Sequence, residues 1–309
     1  MNFQANVQVG ALFKLIVHKG NPEQPSKETP MFHNLVLDAG LDRLSVGSAI
    51  DRVCVGSGNS APIISQTKLD AFVASTTTTQ GYEVGIRQVT TEPYYYGGRI
   101  IYRFGEGVAA GNLSELGLGW ANTNLFNRAL IKDANGNPTT ITVLADEFLD
   151  VVVEIRVYPQ RSFTGSFNLL DKLGAVISTH SVDGSCLIGV DGSFQLGGPV
   201  SLGDWGSNAL LVYSGNRGDS VIQDPLTYIG SSSGIVKTYP TPRSCKGVAN
   251  FGLTVANGIH QSFRVAVQFL GSRYISTLGY KWQITPPIQK NNKQEIQYSF
   301  TLNWDRYTP

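Results

Sequence analysis

The chain has too few cysteines, too widely spaced, to be held together by disulfides. Cys54, Cys186 and Cys245 are its three; an odd number with no Cys-x-x-Cys pair gives neither a disulfide framework nor a zinc-ribbon spacing. They read as small buried hydrophobes of a protein folded in a reducing cytoplasm. Charge is also scarce. Asp, Glu, Lys and Arg make up 15% of the residues, against roughly 25% in ordinary soluble domains. The net charge is +1 and no run of like charges is present, so an electrostatic footprint for nucleic acid or an anionic membrane is not expected. No apolar stretch approaches the ~20 residues of a membrane helix. The N-terminus lacks a basic segment leading into an apolar one, so neither membrane insertion nor a signal peptide is expected.

What is present is apolar material arranged with period two. Apolar residues are 41% of the chain, and glycine contributes 34 residues, a mixture that suits short strands joined by tight turns. The clearest strand is the last. Ile296, Tyr298, Phe300, Leu302 and Trp304 share one face, and Gln297, Ser299, Thr301, Asn303 and Asp305 share the other, which predicts an antiparallel strand with one dry and one wet face. Val151 to Val157 and Phe263 to Phe269 alternate in the same way. Turns are expected at Gly56-Ser-Gly58-Asn59, Asp133 to Pro138, Asp191-Gly192 and Gly215 to Gly218. Helical signals are confined to Lys68 to Ala74 and a turn within Asn122 to Arg128.

A faint internal repeat organises the chain. Phe104-Gly-Glu-Gly-Val-Ala-Ala-Gly111 lines up with Phe251-Gly-Leu-Thr-Val-Ala-Asn-Gly258, an offset of 251 − 104 = 147. Each copy leads through an apolar run to a closing strand and an aromatic-rich end, Arg156-Val-Tyr-Pro159 in one and Trp304-Asp-Arg-Tyr307 in the other. The expectation is an all-β protein of two tandem antiparallel β-sandwich, jelly-roll-like domains, residues 1–160 and 161–309. The first carries a short helical insertion, and duplication of one unit accounts for the pair.

Catalytic constellations are hard to find. Gly105-x-Gly107-x-x-Ala110 follows a strand-like run but is followed by Gly111, Asn112, Gly117 and Gly119 rather than by a helix. A glycine-rich turn is expected there in place of a dinucleotide loop. Asp133-x-Asn135-x-Asn137 opens like a calcium loop, but Pro138 and Leu144 stand where such a loop needs Gly and Glu. His18, His33, His180 and His260 show no ligand spacing. No enzyme activity, cofactor, metal site or catalytic residue is expected. Tyr94, Tyr95 and Tyr96, between Glu92-Pro93 and Gly97-Gly98, are the one candidate interaction patch. Tyrosines offer large contact area at low entropic cost, which suits stacking on sugars or anchoring an interface. Burial of at least one of the three in a strand is the competing expectation.

Several phrases resemble bacteriophage tail-fibre, tail-collar and baseplate proteins. They are Asn34-Leu-Val-Leu-Asp-Ala-Gly-Leu-Asp42; Val53-Cys-Val-Gly-Ser-Gly58 followed by Ala61-Pro62 and Thr67-Lys-Leu69; Asn112-Leu-Ser-Glu-Leu-Gly117; Leu125 to Ile131; and Asn137 to Ala145. They cover roughly Asn34 to Pro159 in the order such proteins show. The resemblance implies a non-enzymatic virion structural protein of a phage tail (an adaptor, collar, baseplate or fibre component), made in the host bacterial cytoplasm. Its partners would be other tail proteins and copies of itself, as a trimer or ring. The chain has no repetitive shaft sequence, which favours a compact component. The alternative is a module that recognises host-surface carbohydrate through the tyrosine patch. A polysaccharide depolymerase has less support, because no long β-helical period appears.

Overall fold

The computed structural model describes residues 2–189, 196–203, 209–270 and 278–309, so the turn expected at Asp191-Gly192 lies outside the described residues. Strand makes up 57% of the structure and helix 2%, as the period-two patterning predicts; among the described residues the one helix is α1, Asp38–Arg43. The first half supplies β1 (Asn2–His18), β2 (Arg52–Gly56), β3 (Phe72–Thr76), β4 (Thr79–Gln88), β5 (Tyr95–Phe104), β6 (Glu115–Ala121), β7 (Asn127–Leu130) and β8 (Phe148–Pro159). The second half supplies β9 (Ser162–Leu170), β10 (Val176–Ile188), β11 (Leu210–Tyr213), β12 (Tyr228–Ser231), β13 (Ile235–Thr238), β14 (Ser244–Phe251), β15 (Gly258–Gln268), β16 (Leu278–Lys290) and β17 (Ile296–Arg306).

Three larger sheets result. The widest runs β13-β14-β17-β1-β8-β5-β4. A second, in the first half, runs from Leu35–Val36 through β7-β6-β2-β3, and a third runs β9-β10-β16-β15-β11-β12. The widest sheet draws on both sides of residue 160. Its central strand β1 pairs antiparallel with β8 and parallel with β17, Asn6 standing opposite Asn303 and Gln8 opposite Asp305. The chain therefore leaves β8 at Pro159, builds the second half, and returns to lie beside its own first strand.

Helix α1 locks that return. Trp304 Nε1 donates to the Leu41 carbonyl at 2.9 Å, Arg243 reaches Asp42 at 2.5 Å and Asp38 at 2.8 Å, and Arg306 also pairs with Asp38. Leu37, Leu41 and Leu44, one helical face, are fully buried. Gly40 permits the docking: a Cβ there would lie 2.2 Å from the Phe126 carbonyl oxygen. The helix thus sits where the sequence showed no helical signal. The expected helical stretches are otherwise. Phe72–Thr76 is strand, and within Asn122 to Arg128 a turn at Asn122-Thr123 leads into the short strands Asn124–Leu125 and Asn127–Leu130, because both segments are claimed by pairing with β2 and β6.

Burial follows the patterning on β17, where Ile296, Tyr298, Phe300, Leu302 and Trp304 are buried and the residues between them are not. On β8 both faces are covered: Val152 and Glu154 are as hidden as Val151 and Val153. Its expected wet face is lost because the flanking strand β5 lays Arg99 and Arg103 over it, pairing with Glu154 and Asp150 at 2.6 Å each. The two repeat copies match locally. In each, the residue four beyond the Phe donates to the carbonyl one beyond it at 3.1 Å (Val108 to Gly105, Val255 to Gly252). Gly111 and Gly258 both open the next strand at φ 138°. Phe104 faces Leu149 and Phe251 faces Ile296, so the offset of 147 also holds in the strand register (296 − 149 = 147).

The Asn112 to Gly117 and Leu125 to Ile131 phrases meet at one buried ion pair. Arg128 and Glu115 are both fully buried, with Arg128 Nε donating to Glu115 at 2.8 Å. Arg128 also donates to Asp70 at 2.7 Å and to Gln66 at 2.8 Å. Glu115 in turn accepts from the backbone N–H groups of Gly58, Asp70 and Ala71 at 3.0, 3.1 and 2.8 Å. The pair holds the long 57–71 loop against β6 and β7 without any regular structure in that loop.

Candidate binding site

A concavity lies where the two halves meet, at the starts of β1 and β9 and the ends of β8 and β17. It is a cleft of about 620 Å³, within the ~300–1,000 Å³ of ordinary ligand sites. Its floor is a set of amides. Gln160 Oε1 accepts from the Asn6 backbone N–H at 3.1 Å and from Asn6 Nδ2 at 3.2 Å, and the Gln160 N–H donates back to the Asn6 carbonyl at 2.9 Å. Asn303 Nδ2 reaches Asn6 Oδ1 at 3.4 Å, and the buried Tyr280 hydroxyl donates to the Asn6 carbonyl at 2.6 Å. Asn6, Gln160 and Asn303 are thereby fixed in orientation, as a recognition surface requires.

Tyrosines form the walls. On one side the half-buried Tyr94 lies beneath the Arg161 guanidinium, 5.1 Å from the ring centre, and Arg161 pairs with Glu92 at 2.6 Å. On the other, Tyr158 and Tyr307 stack at 3.7 Å with 12° between their planes. Burial pushes the Tyr158 hydroxyl up to about 12, so it stays a neutral donor. Gln8 and Asp305, exposed and paired in register, stand at the rim. Such a surface can stack on flat apolar faces and hydrogen-bond hydroxyls; it has no nucleophile–base pair aimed into it.

The strand period splits the tyrosine patch. Tyr94 precedes β5 and reaches the cleft. Tyr95, the first residue of β5, lies beside Tyr158 at 5.7 Å, under the Arg156 guanidinium at 4.2 Å. Tyr96 points the other way and is fully buried, its hydroxyl pushed up to about 12 by burial, and it offers no surface. Sequence reading missed Tyr158, Tyr307 and the amides. The signal was the pair of aromatic ends at Arg156 to Pro159 and Trp304 to Tyr307, which folding brings into contact.

The remaining candidates are structural. Asp133 Oδ1 accepts from the N–H groups of Asn135 and Asn137 at 2.9 Å each, which closes a turn and occupies the would-be calcium ligand. Gly107, at φ 70°, sits in a tight turn against the Ala145 carbonyl. All three cysteines are buried thiols. His18, His180 and His260 are buried apart from one another, and among the described residues no group of three or more His, Cys, Asp or Glu side chains could hold a metal ion. No protein-family model matches the chain, and searches of curated proteins and of solved structures return no match.

Proposed function

We propose that the protein is a non-enzymatic structural subunit that works through interfaces with copies of itself and with neighbouring proteins, as a component of a bacteriophage tail. The observation that carries this reading is the β9–β10 hairpin. It projects a tip bearing Leu170, Leu173, Val176 and Ile177, all exposed, with Leu173 at 85%. Apolar groups gathered at the end of an arm are costly in a free monomer and are relieved by burial against a partner. The ordered phrases between Asn34 and Pro159, two of which meet at Arg128 and Glu115, support the tail assignment. The shared turn geometry and register offset support reading the halves as a duplicated unit. Light scattering after size exclusion tests the reading: a defined oligomer is expected, and a strict monomer at every concentration, in a protein absent from virions, refutes it.

The cleft favours a second reading, recognition of carbohydrate on a host surface. Oriented amides between tyrosine walls match the alternating apolar faces and hydroxyl edges of sugar rings. A glycan array should yield binders whose signal falls in Tyr94→Ala; an array without binders, or binders indifferent to that change, removes this reading.

A further inference from the structure

Strand β9 forms one edge of the β9-β10-β16-β15-β11-β12 sheet and, among the described residues, β10 is its one strand partner. Open edges invite pairing with other chains, and proteins blunt them with short strands, charges, prolines or bulges. The other edges of the two wider sheets follow that rule. β12 and β13 have four residues each. β4 carries register shifts at Thr79/Gly81 and Glu83/Ile86, with Gly85 at φ 72°, and holds Glu83 and Arg87. β9 does not. Its nine residues, Ser-Phe-Thr-Gly-Ser-Phe-Asn-Leu-Leu, contain no charge and no proline, and its register shifts only at Leu169/Leu170.

The strand is also complementary to itself. Ser162-Phe-Thr-Gly165-Ser-Phe-Asn168 reads almost the same in both directions about Gly165. Phe163 and Phe167, on one face, pack against Tyr280 and His180 at ring distances of 5.9 and 5.1 Å. Ser162, Thr164, Ser166 and Asn168, on the other, are exposed, and the space where Gly165 would carry a Cβ is empty.

We infer that two copies of the chain join by antiparallel pairing of β9 with β9 about a twofold axis at Gly165. This rests on the assembly reading above and names its interface. In that register Phe163 of each copy stands opposite Phe167 of the other, Thr164 stands opposite Ser166, and Gly165 faces itself. Aromatic pairs and hydroxyl pairs are among the favourable cross-strand neighbours, and the interface is isologous, as a twofold requires. The sheets that β9 edges in the two copies become one continuous sheet, and two open edges are removed at once.

The register dictates the test. Thr164 and Ser166 are exposed, so lysines there are compatible with the fold, which an unchanged melting temperature verifies. Thr164→Lys/Ser166→Lys sets lysine against lysine at both positions across the axis. Thr164→Lys/Ser166→Glu sets lysine against glutamate at both. Sedimentation of the full-length chain over a concentration series should show wild type at an even multiple of the chain mass. The double-lysine variant should dissociate at least about tenfold more readily, and the lysine–glutamate variant should return to near wild type. An oligomer indifferent to both variants, one weakened equally by both, or a strictly trimeric wild type overturns the β9 pairing and leaves the assembly reading standing. A wild type that stays monomeric throughout also overturns the pairing, and the assembly reading falls with it only if the protein is absent from virions.

Discussion

Replacing Arg128 by methionine tests whether the 57–71 loop is held by charge. Methionine keeps much of the volume and the unbranched shape, so packing changes little. Glu115 loses the fully buried counter-charge of Arg128 and keeps the backbone donors of Gly58, Asp70 and Ala71. Breaking a buried pair from one side costs about 3–5 kcal/mol, because it strands the other charge. At roughly 2.1 cal/mol/K per residue, 309 residues give an unfolding entropy of about 650 cal/mol/K, so the melting temperature should fall by about 5–8 °C. Adding Glu115→Gln removes the stranded charge, and the double variant should be more stable than Arg128→Met alone. Calorimetry on the wild type, the single and the double variant reads both quantities. A fall below about 1 kcal/mol for Arg128→Met, or a double variant less stable than the single, would refute the claim that a desolvated ion pair holds this loop.

Three further outcomes are expected. His260 is fully buried, bonded to the Tyr298 hydroxyl at 2.9 Å and the Ala256 carbonyl at 2.7 Å, and burial lowers its pKa to about 4. The unfolded chain therefore takes up a proton near pH 6.5 that the folded chain refuses. Stability falls as pH drops from about 6.5 to 4, by up to about 3 kcal/mol from this group; urea titrations at pH 7 and 4.5 should show a smaller difference in His260→Gln. Gly40→Ala, which in an open helix would be neutral or stabilising, should destabilise by about 1–3 kcal/mol through overlap with the Phe126 carbonyl, and equal stability by calorimetry would count against the close approach. Cys54, Cys186 and Cys245 are buried, and burial pushes their thiols up to about 12, 12 and 11. Ellman's reagent should find none of them in the native protein and all three in guanidinium; a fast native reaction would contradict the packing.

Much of this protein was legible in its local patterns. Alternation from Ile296 to Trp304 specified a strand and its dry face, Asp133-x-x-Gly136 specified its turn, and the Phe104 and Phe251 phrases specified two like turns, because each depends on contacts within a few residues. α1 was not legible: Asp38–Arg43 is too short for a helical period to stand out, and it is held by Phe126, Arg243, Trp304 and Arg306 from distant parts of the chain. The wet face expected on β8 depended on which strands would flank it, and Arg99 and Arg103 covered it. The cleft was still less accessible to local reading. Tyr94 was visible as part of a cluster, but Tyr158 and Tyr307 meet only because β17 returns in parallel beside β1. Side-chain period and turn chemistry are short-range properties that the chain carries residue by residue. Strand partners, and hence every surface shared between distant segments, are selected by the burial and hydrogen bonding of the whole fold.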